Sequence, residues 1–289
     1  MQRETFLLFI LLFFAGGCKG QAPAESVESF IDCTEEDRVI FDRYVHAMET
    51  KKALPLSDLI VETAQFFLET PYVASTLEKE PERLVINLRE MDCTTLTEVS
   101  VALARTMKES HPSFESFCLN LRKLRYREGV IRDYTDRLHY FSDWMYENER
   151  KGLVKDVTRE IGGTPYRLNL SFMSAHPDSY RPLKSHPEWI RTIREKELEI
   201  TERNAYAMIS DDSVKDCDRK MKNGDIVCFV TRIRGLDISH VGIICRQSGN
   251  LSFIHASSSA KKVIVEPRPL QVYVKNIQTT AGIMIVRPQ

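Results

Sequence analysis

An α+β fold is predicted for this chain, helices first and an antiparallel sheet last. Two observations carry that expectation. Before Asn223-Gly224 the apolar residues recur at spacings of three and four, the period of a helix. After it come short runs rich in Val, Ile and Phe, separated by Gly, Asn and Pro, as in neighbouring strands. The 289 residues are 43% hydrophobic and 28% charged, enough to bury a sizeable core in one large domain or two small ones.

Phe6 to Phe14 is an unbroken apolar run. It is too short to span a bilayer but has the length of a signal-peptide core. Ala15, Gly16 and Gly17 then lead into Cys18, and a signal peptidase needs small side chains there. Residues 1–18 therefore read as a lipoprotein signal peptide with Cys18 as the lipidated residue; plain cleavage without lipid is the alternative. The expectation is a periplasmic or cell-envelope protein held to a membrane by its lipid, with residues 19–33 as a polar tether.

Residues 34–112 form a first, helical part. Thr34 and the acidic Glu35, Glu36 and Asp37 open a helix carrying Ile40, Phe41, Tyr44 and Met48 at helical spacing. Ser57 opens a second, with Ile60, Ala64, Phe67 and Leu68 on one face, ending at Thr70-Pro71-Tyr72. Asp92 is a good N-cap for a third, whose stripe is Leu96, Val99, Leu103 and Met107. Cys93 falls in its first turn.

Residues 113–222 read as an inserted helix-rich region. Phe114, Phe117, Leu121 and Leu124 mark one helix, and an aromatic cluster spans His139 to Asn148. A long loop covers Ala175–Pro187 and a charged surface helix covers Pro187–Arg203. Residues 223–289 form the β part, with strands expected at Asp225–Thr231, Ser239–Cys245, Leu251–Ala256, Lys262–Glu266 and Gly282–Arg287.

A formal net charge of −1 gives no field that would gather nucleic acid or an anionic membrane, and no nucleic-acid motif is present. Ile161-Gly162-Gly163-Thr164 is too short for a phosphate loop. Of the seven cysteines none forms a C-x-x-C pair, which argues against a zinc knuckle or a redox motif. Setting Cys18 and Cys93 aside leaves an odd number, so at least one thiol is unpaired. Cys118, Cys228 and Cys245 lie in apolar runs and are expected to be buried.

The chemistry points to Cys93. A thiolate attacks a carbonyl, and the free N–H groups and dipole of a helix N-terminus lower a thiol pKa. His240 opens a predicted strand, from which an imidazole facing the thiol takes its proton. Strand alternation puts His240, Gly242 and Ile244 on one face and Val241, Ile243 and Cys245 on the other, with Gly242 leaving room beside the His. His255 follows after a turn at Gly249-Asn250, on a neighbouring strand, where it can fix the tautomer of His240. Tyr72 can offer a phenol to an oxyanion beside the Cys93 N–H.

These four residues come in one order: Tyr72 in TPYVASTLE, Cys93 in MDCTTLTE, His240 in LDISHVGI and His255 in FIHASS. That order resembles the NlpC-like branch of papain-like bacterial cell-wall hydrolases. The segments LRYREG, RLHYFSDWM and SFMSAHPDSYRPL look like a narrower family, similar to N-acetylmuramoyl-L-alanine amidases. The resemblance implies a Cys-bearing helix on an antiparallel sheet, with an added helical region. It implies Cys93 as nucleophile, His240 as base, His255 as third member and Tyr72 as the active-site tyrosine. It further implies peptidoglycan-derived muropeptides as substrates, no cofactor and no metal, and a monomer is expected. Thr94-Thr95 stand where common members have Ser-Gly; two β-branched residues would narrow the cleft and favour the muramoyl-amide bond.

Asp92, Asp143, Trp144 and Asp237 are candidates for substrate contacts. Trp144 would stack on a sugar or else sit in helix core, and Asp237 would bind an amide or else cap a turn. Arg122, Lys123, Arg125 and Arg127 read as a solvated face, the alternative being a grip on stem-peptide carboxylates. Competing functions are a γ-D-glutamyl–diamino-acid endopeptidase, a non-catalytic cell-wall-binding lipoprotein and a Cys/His/His zinc site.

Overall fold

The computed structural model describes residues 26–247 and 249–289. The run Phe6 to Phe14 and Cys18 lie outside them. Helix α1 (Glu35–Met48) buries Phe41, Tyr44 and Met48, as its spacing requires. Its start is held by the Asp37 carboxylate, which accepts the Thr34 N–H at 2.9 Å and the Thr34 hydroxyl at 2.7 Å. The other oxygen of Asp37 accepts the Leu88 N–H at 2.8 Å and Arg89 Nε at 3.1 Å, tying α1 to the segment that leads into Cys93.

Helices α2 (Leu56–Phe66) and α3 (Cys93–Met107) follow. The expected stripe of α3 is buried, but so are Val101, Ala102, Ala104 and the polar Thr97 and Ser100. The helix runs through the core and is covered on every side. A short parallel pair, β1 (Ile31–Asp32) with β2 (Leu84–Val85), lies beside it. The tether thus ends earlier than position 33, because Val27, Phe30 and Ile31 are already core residues.

In the middle region come α4 (Phe114–Arg125) and α5 (Phe141–Arg150). Strand β3 (Val154–Asp156), the short helix α6 (Thr158–Ile161) and β4 (Thr164–Pro165) come next. The expected loop 175–187 is instead partly helical. It is preceded by α7 (Phe172–Ala175), contains α8 (Arg181–Ser185) and leads into α9 (Trp189–Arg203). Strand β5 (Ala207–Ser210) and α10 (Val214–Cys217) complete the region.

The last part holds β6 (Ile226–Thr231), β7 (Ile238–Gln247), β8 (Asn250–Ser257), β9 (Lys262–Val265), α11 (Leu270–Asn276) and β10 (Thr280–Pro288). Each expected strand is present within one or two residues of its bounds. The sheet runs β4-β5-β10-β6-β7-β8-β9, with β3 also on β10, and each of these pairs is antiparallel. Strands β3, β4 and β5 belong to it, so the middle region is built into the sheet and is not a purely helical insertion. The architecture is α+β.

One sheet face, with Cys228, Val241, Ile243 and Cys245, packs on a core that includes Leu96, Val99 and Leu103 of α3. The other, with Phe229, Ile244 and Phe253, packs on Ile161, Val214, Leu270 and Val274 from the short helices α6, α10 and α11. Val241, Ile243 and Cys245 thus alternate with Ile244 as the strand period demands. Cys118, Cys228 and Cys245 are buried as expected.

Candidate active site

The site begins at the start of α3. Asp92 is its N-cap: its carboxylate accepts the Thr95 N–H at 2.8 Å, and the Thr95 hydroxyl accepts the Asp92 N–H at 2.8 Å. Thr95 therefore closes a capping box and does not narrow a cleft; Thr94 lines one. As the first helical residue, Cys93 has an N–H with no intrahelical acceptor, free for an incoming oxyanion.

The thiol meets the sheet at β7, where it receives the Val241 backbone N–H. His240 is the residue before. The β6–β7 register slips between Phe229↔His240 and Val230↔Ile238, so Ser239 is an extra residue, a bulge directly before His240. Such a bulge bends the strand and re-aims the side chain that follows. His240 Nε2 lies 2.7 Å from Nδ1 of His255 on β8, leaving its own Nδ1 free. Gly242 serves a different neighbour from the one expected: a Cβ there would come within 2.5 Å of the Phe253 ring.

Tyr72 is held against this point by the backbone. Its N–H reaches the Lys261 carbonyl at 2.9 Å, and the Val73 N–H reaches the Met91 carbonyl at 3.2 Å. The phenol lies close enough to Cys93 and Asp92 for their charge to raise its pKa, though burial is the larger cause. The structure thus brings together Cys93, His240, His255, Tyr72 and Asp92.

The electrostatics differ from the expectation for a helix N-terminus. Burial, reinforced by the Asp92 carboxylate, pushes the Cys93 thiol up to about 12, against the pull of the Val241 and Thr94 donors. Burial holds His240 down at about 4, against the pull of Glu266, and His255 at about 3. Burial thus favours the neutral thiol of Cys93 and the neutral imidazoles of His240 and His255.

Three candidates for substrate contact do structural work instead. Trp144 is 0% exposed and stacks on Phe141 at 4.7 Å between centroids, so it offers no face to a sugar. Asp143 is buried between Arg127 and Arg203, the latter at 2.7 Å. Asp237, 1% exposed, accepts the Ser142 N–H at 2.8 Å and so caps α5. Nor do the four basic residues form one solvated face. Arg125 is buried against Glu98 at 2.6 Å, and the Arg122 guanidinium covers the Phe30 ring at 4.1 Å.

A cleft of about 220 Å³, its surface about evenly polar and apolar, opens beside Cys93. Its walls include Asp92, Thr94, Glu98 and Arg125 from the α3–α4 side, and Arg137, His139, Tyr140 and Tyr180 from the middle region. The sequence reading missed most of these, since they are scattered singly. Glu98 could have been found: a carboxylate within the apolar and small-residue run 96–104 of a helix needs a partner. Tyr273 was missed as well; its helix α11 lay outside every expected element. It packs on the His255 ring at 5.9 Å and near enough to Cys93 for that charge to act on it. Among the described residues, no group of three or more His, Cys, Asp or Glu converges as a metal site would.

A thiol on a helix start, an imidazole pair and a phenol are groups that can carry out acyl transfer. The chain belongs to the N-acetylmuramoyl-L-alanine amidase-like family, whose model matches residues 62–283. It is similar to an N-acetylmuramoyl-L-alanine amidase from Bacteroides uniformis at 36% identity and a TM-score of 0.77, over 81% of this chain and 99% of that one. It is also similar to a protein from Bacteroides fragilis described as a putative xylanase, at 37% identity and a TM-score of 0.74, over 78% and 99%. A Legionella pneumophila protein at 22% identity shares the fold, with a TM-score of 0.65 over 88% and 94%. No curated protein matches the chain.

Proposed function

We propose that this protein is a cysteine amidase of papain-like, NlpC-like architecture. It would hydrolyse the bond between the lactyl group of N-acetylmuramic acid and L-Ala in peptidoglycan fragments. The observation that carries the reading is the placement of the Cys93 thiol on the Val241 N–H, next to His240, whose far nitrogen is already taken by His255. Cys93 attacks the lactyl carbonyl while His240 takes the thiol proton. The oxyanion sits on the Cys93 N–H and the Tyr72 hydroxyl. The C–N bond then breaks, His240 returns the proton to the departing L-Ala amine, and water resolves the thioester.

The cleft, with polar and apolar walls, supports a substrate that has both kinds of surface, as a muropeptide does. Its acidic residues are already engaged: Glu98 pairs with Arg125, Glu78 pairs with Arg137 at 2.9 Å, and Asp92 caps α3. That disfavours a two-carboxylate glycosidase, which needs an acid and a base free to meet the sugar. The N-terminal run and Cys18 support export and lipid anchoring in the cell envelope, with the protein acting as a monomer.

The test is a mass-spectrometric digest of defined muropeptides by the mature protein beside Cys93→Ala. Release of the intact stem peptide by wild type alone is expected. Cleavage only within the peptide would mean an endopeptidase, and no cleavage of any wall fragment would mean a binding protein.

A further inference from the structure

The His240–His255 pair does not end at His255. Glu266 follows β9 and is fixed by its backbone: its N–H reaches the Phe253 carbonyl at 2.9 Å, and its own carbonyl accepts the Ser252 hydroxyl at 2.5 Å. The carboxylate is 3% exposed. Oε1 accepts Arg268 Nε at 2.5 Å and the Arg268 backbone N–H at 3.2 Å. Oε2 lies 3.5 Å from Nε2 of His255, and that buried nitrogen has no other partner among the described residues.

We propose that Glu266 is a positioning residue that sets the tautomers of both imidazoles, so that the bare nitrogen of His240 is the one presented to Cys93. The proposal rests on the reading of His240 as the base. A carboxylate accepts and cannot donate, so the ring nitrogen facing it carries the hydrogen. With Nε2–H on His255, its Nδ1 is a lone pair. The single hydrogen in the 2.7 Å contact between the rings then belongs to His240 Nε2. Nδ1 of His240 is left unprotonated. During attack the thiol proton arrives there, and the imidazolium formed is offset by the Glu266 charge at the far end of the pair. The Arg268 guanidinium and the Tyr273 phenol of α11 also face His255, and the Phe229 and Phe253 rings pack on the pair.

The experiment is nitrogen-15 NMR of histidine-labelled mature protein at neutral pH, without substrate, for wild type and Glu266→Gln. Wild type should show Nε2–H on both rings. In Glu266→Gln the Arg268 donors hold the amide oxygen, so the amide NH2 faces His255 Nε2 and turns it into an acceptor. Both rings should then carry Nδ1–H, with kcat lowered at least about tenfold and KM little changed. Nδ1–H on either wild-type ring overturns the proposal, even if the variant does not fold. So does a folded variant with unchanged tautomers. Since no substrate is present, failure of wild type to cleave muropeptides would refute the proposed function and leave this result standing.

Discussion

At Cys93 two influences oppose each other. The helix start favours a thiolate, while burial and Asp92 push the thiol up to about 12. His240 is driven the other way, from its ordinary 6.5 to about 4. As the proposed base, His240 must be neutral to act, so lowering pH should remove activity only when it takes a proton. A profile of kcat/KM for muropeptide cleavage should stay level from mildly alkaline pH down to about 5 and fall with a midpoint near 4. An acid limb centred near 6.5 would show that the imidazole is not buried as described. The helix start at Asp92-Cys93 and the strands carrying His240 and His255 were legible in the sequence, from an N-cap before an apolar stripe and from apolar runs between turn residues. Trp144, Asp143 and Asp237 were not. Whether a helical tryptophan faces a cleft or Phe141 depends on tertiary neighbours that local spacing does not encode.

At the level of elements, α3 is aimed by its first two turns. The Asp92–Thr95 capping box fixes its start at the cleft, and the buried Glu98–Arg125 pair locks its second turn to α4. Arg125 also donates to the Val85 carbonyl at 2.7 Å, so one guanidinium joins α3, α4 and β2. Removing one partner of a buried ion pair leaves the other charge uncompensated, which costs about 3–5 kcal/mol. Arg125→Met should lose about that much in urea unfolding, and a loss under about 1 kcal/mol would mean the pair is not sealed from water. The five strands after Asn223 were readable from their apolar runs and turn residues. Strands β3, β4 and β5 were not, because each is two to four residues long and too brief to show alternation.

Across the whole molecule, the site exists because one sheet draws strands from both the middle and the last parts of the chain. Strand β10 alone pairs with β3, β5 and β6. The cleft is then walled on one side by α3 and α4 and on the other by residues from 137–180, the region the sequence described least well. Its side chains meet only after folding, and nothing in their spacing announces it. The proposed mechanism requires that Cys93 be acylated by the sugar side of the scissile bond. Acid-quenched turnover of a defined muropeptide, followed by peptide mass spectrometry, tests it most directly. The peptide containing Cys93 should carry an N-acetylmuramoyl group as a thioester. An adduct carrying stem-peptide residues instead, or undiminished turnover by Cys93→Ala, would contradict it.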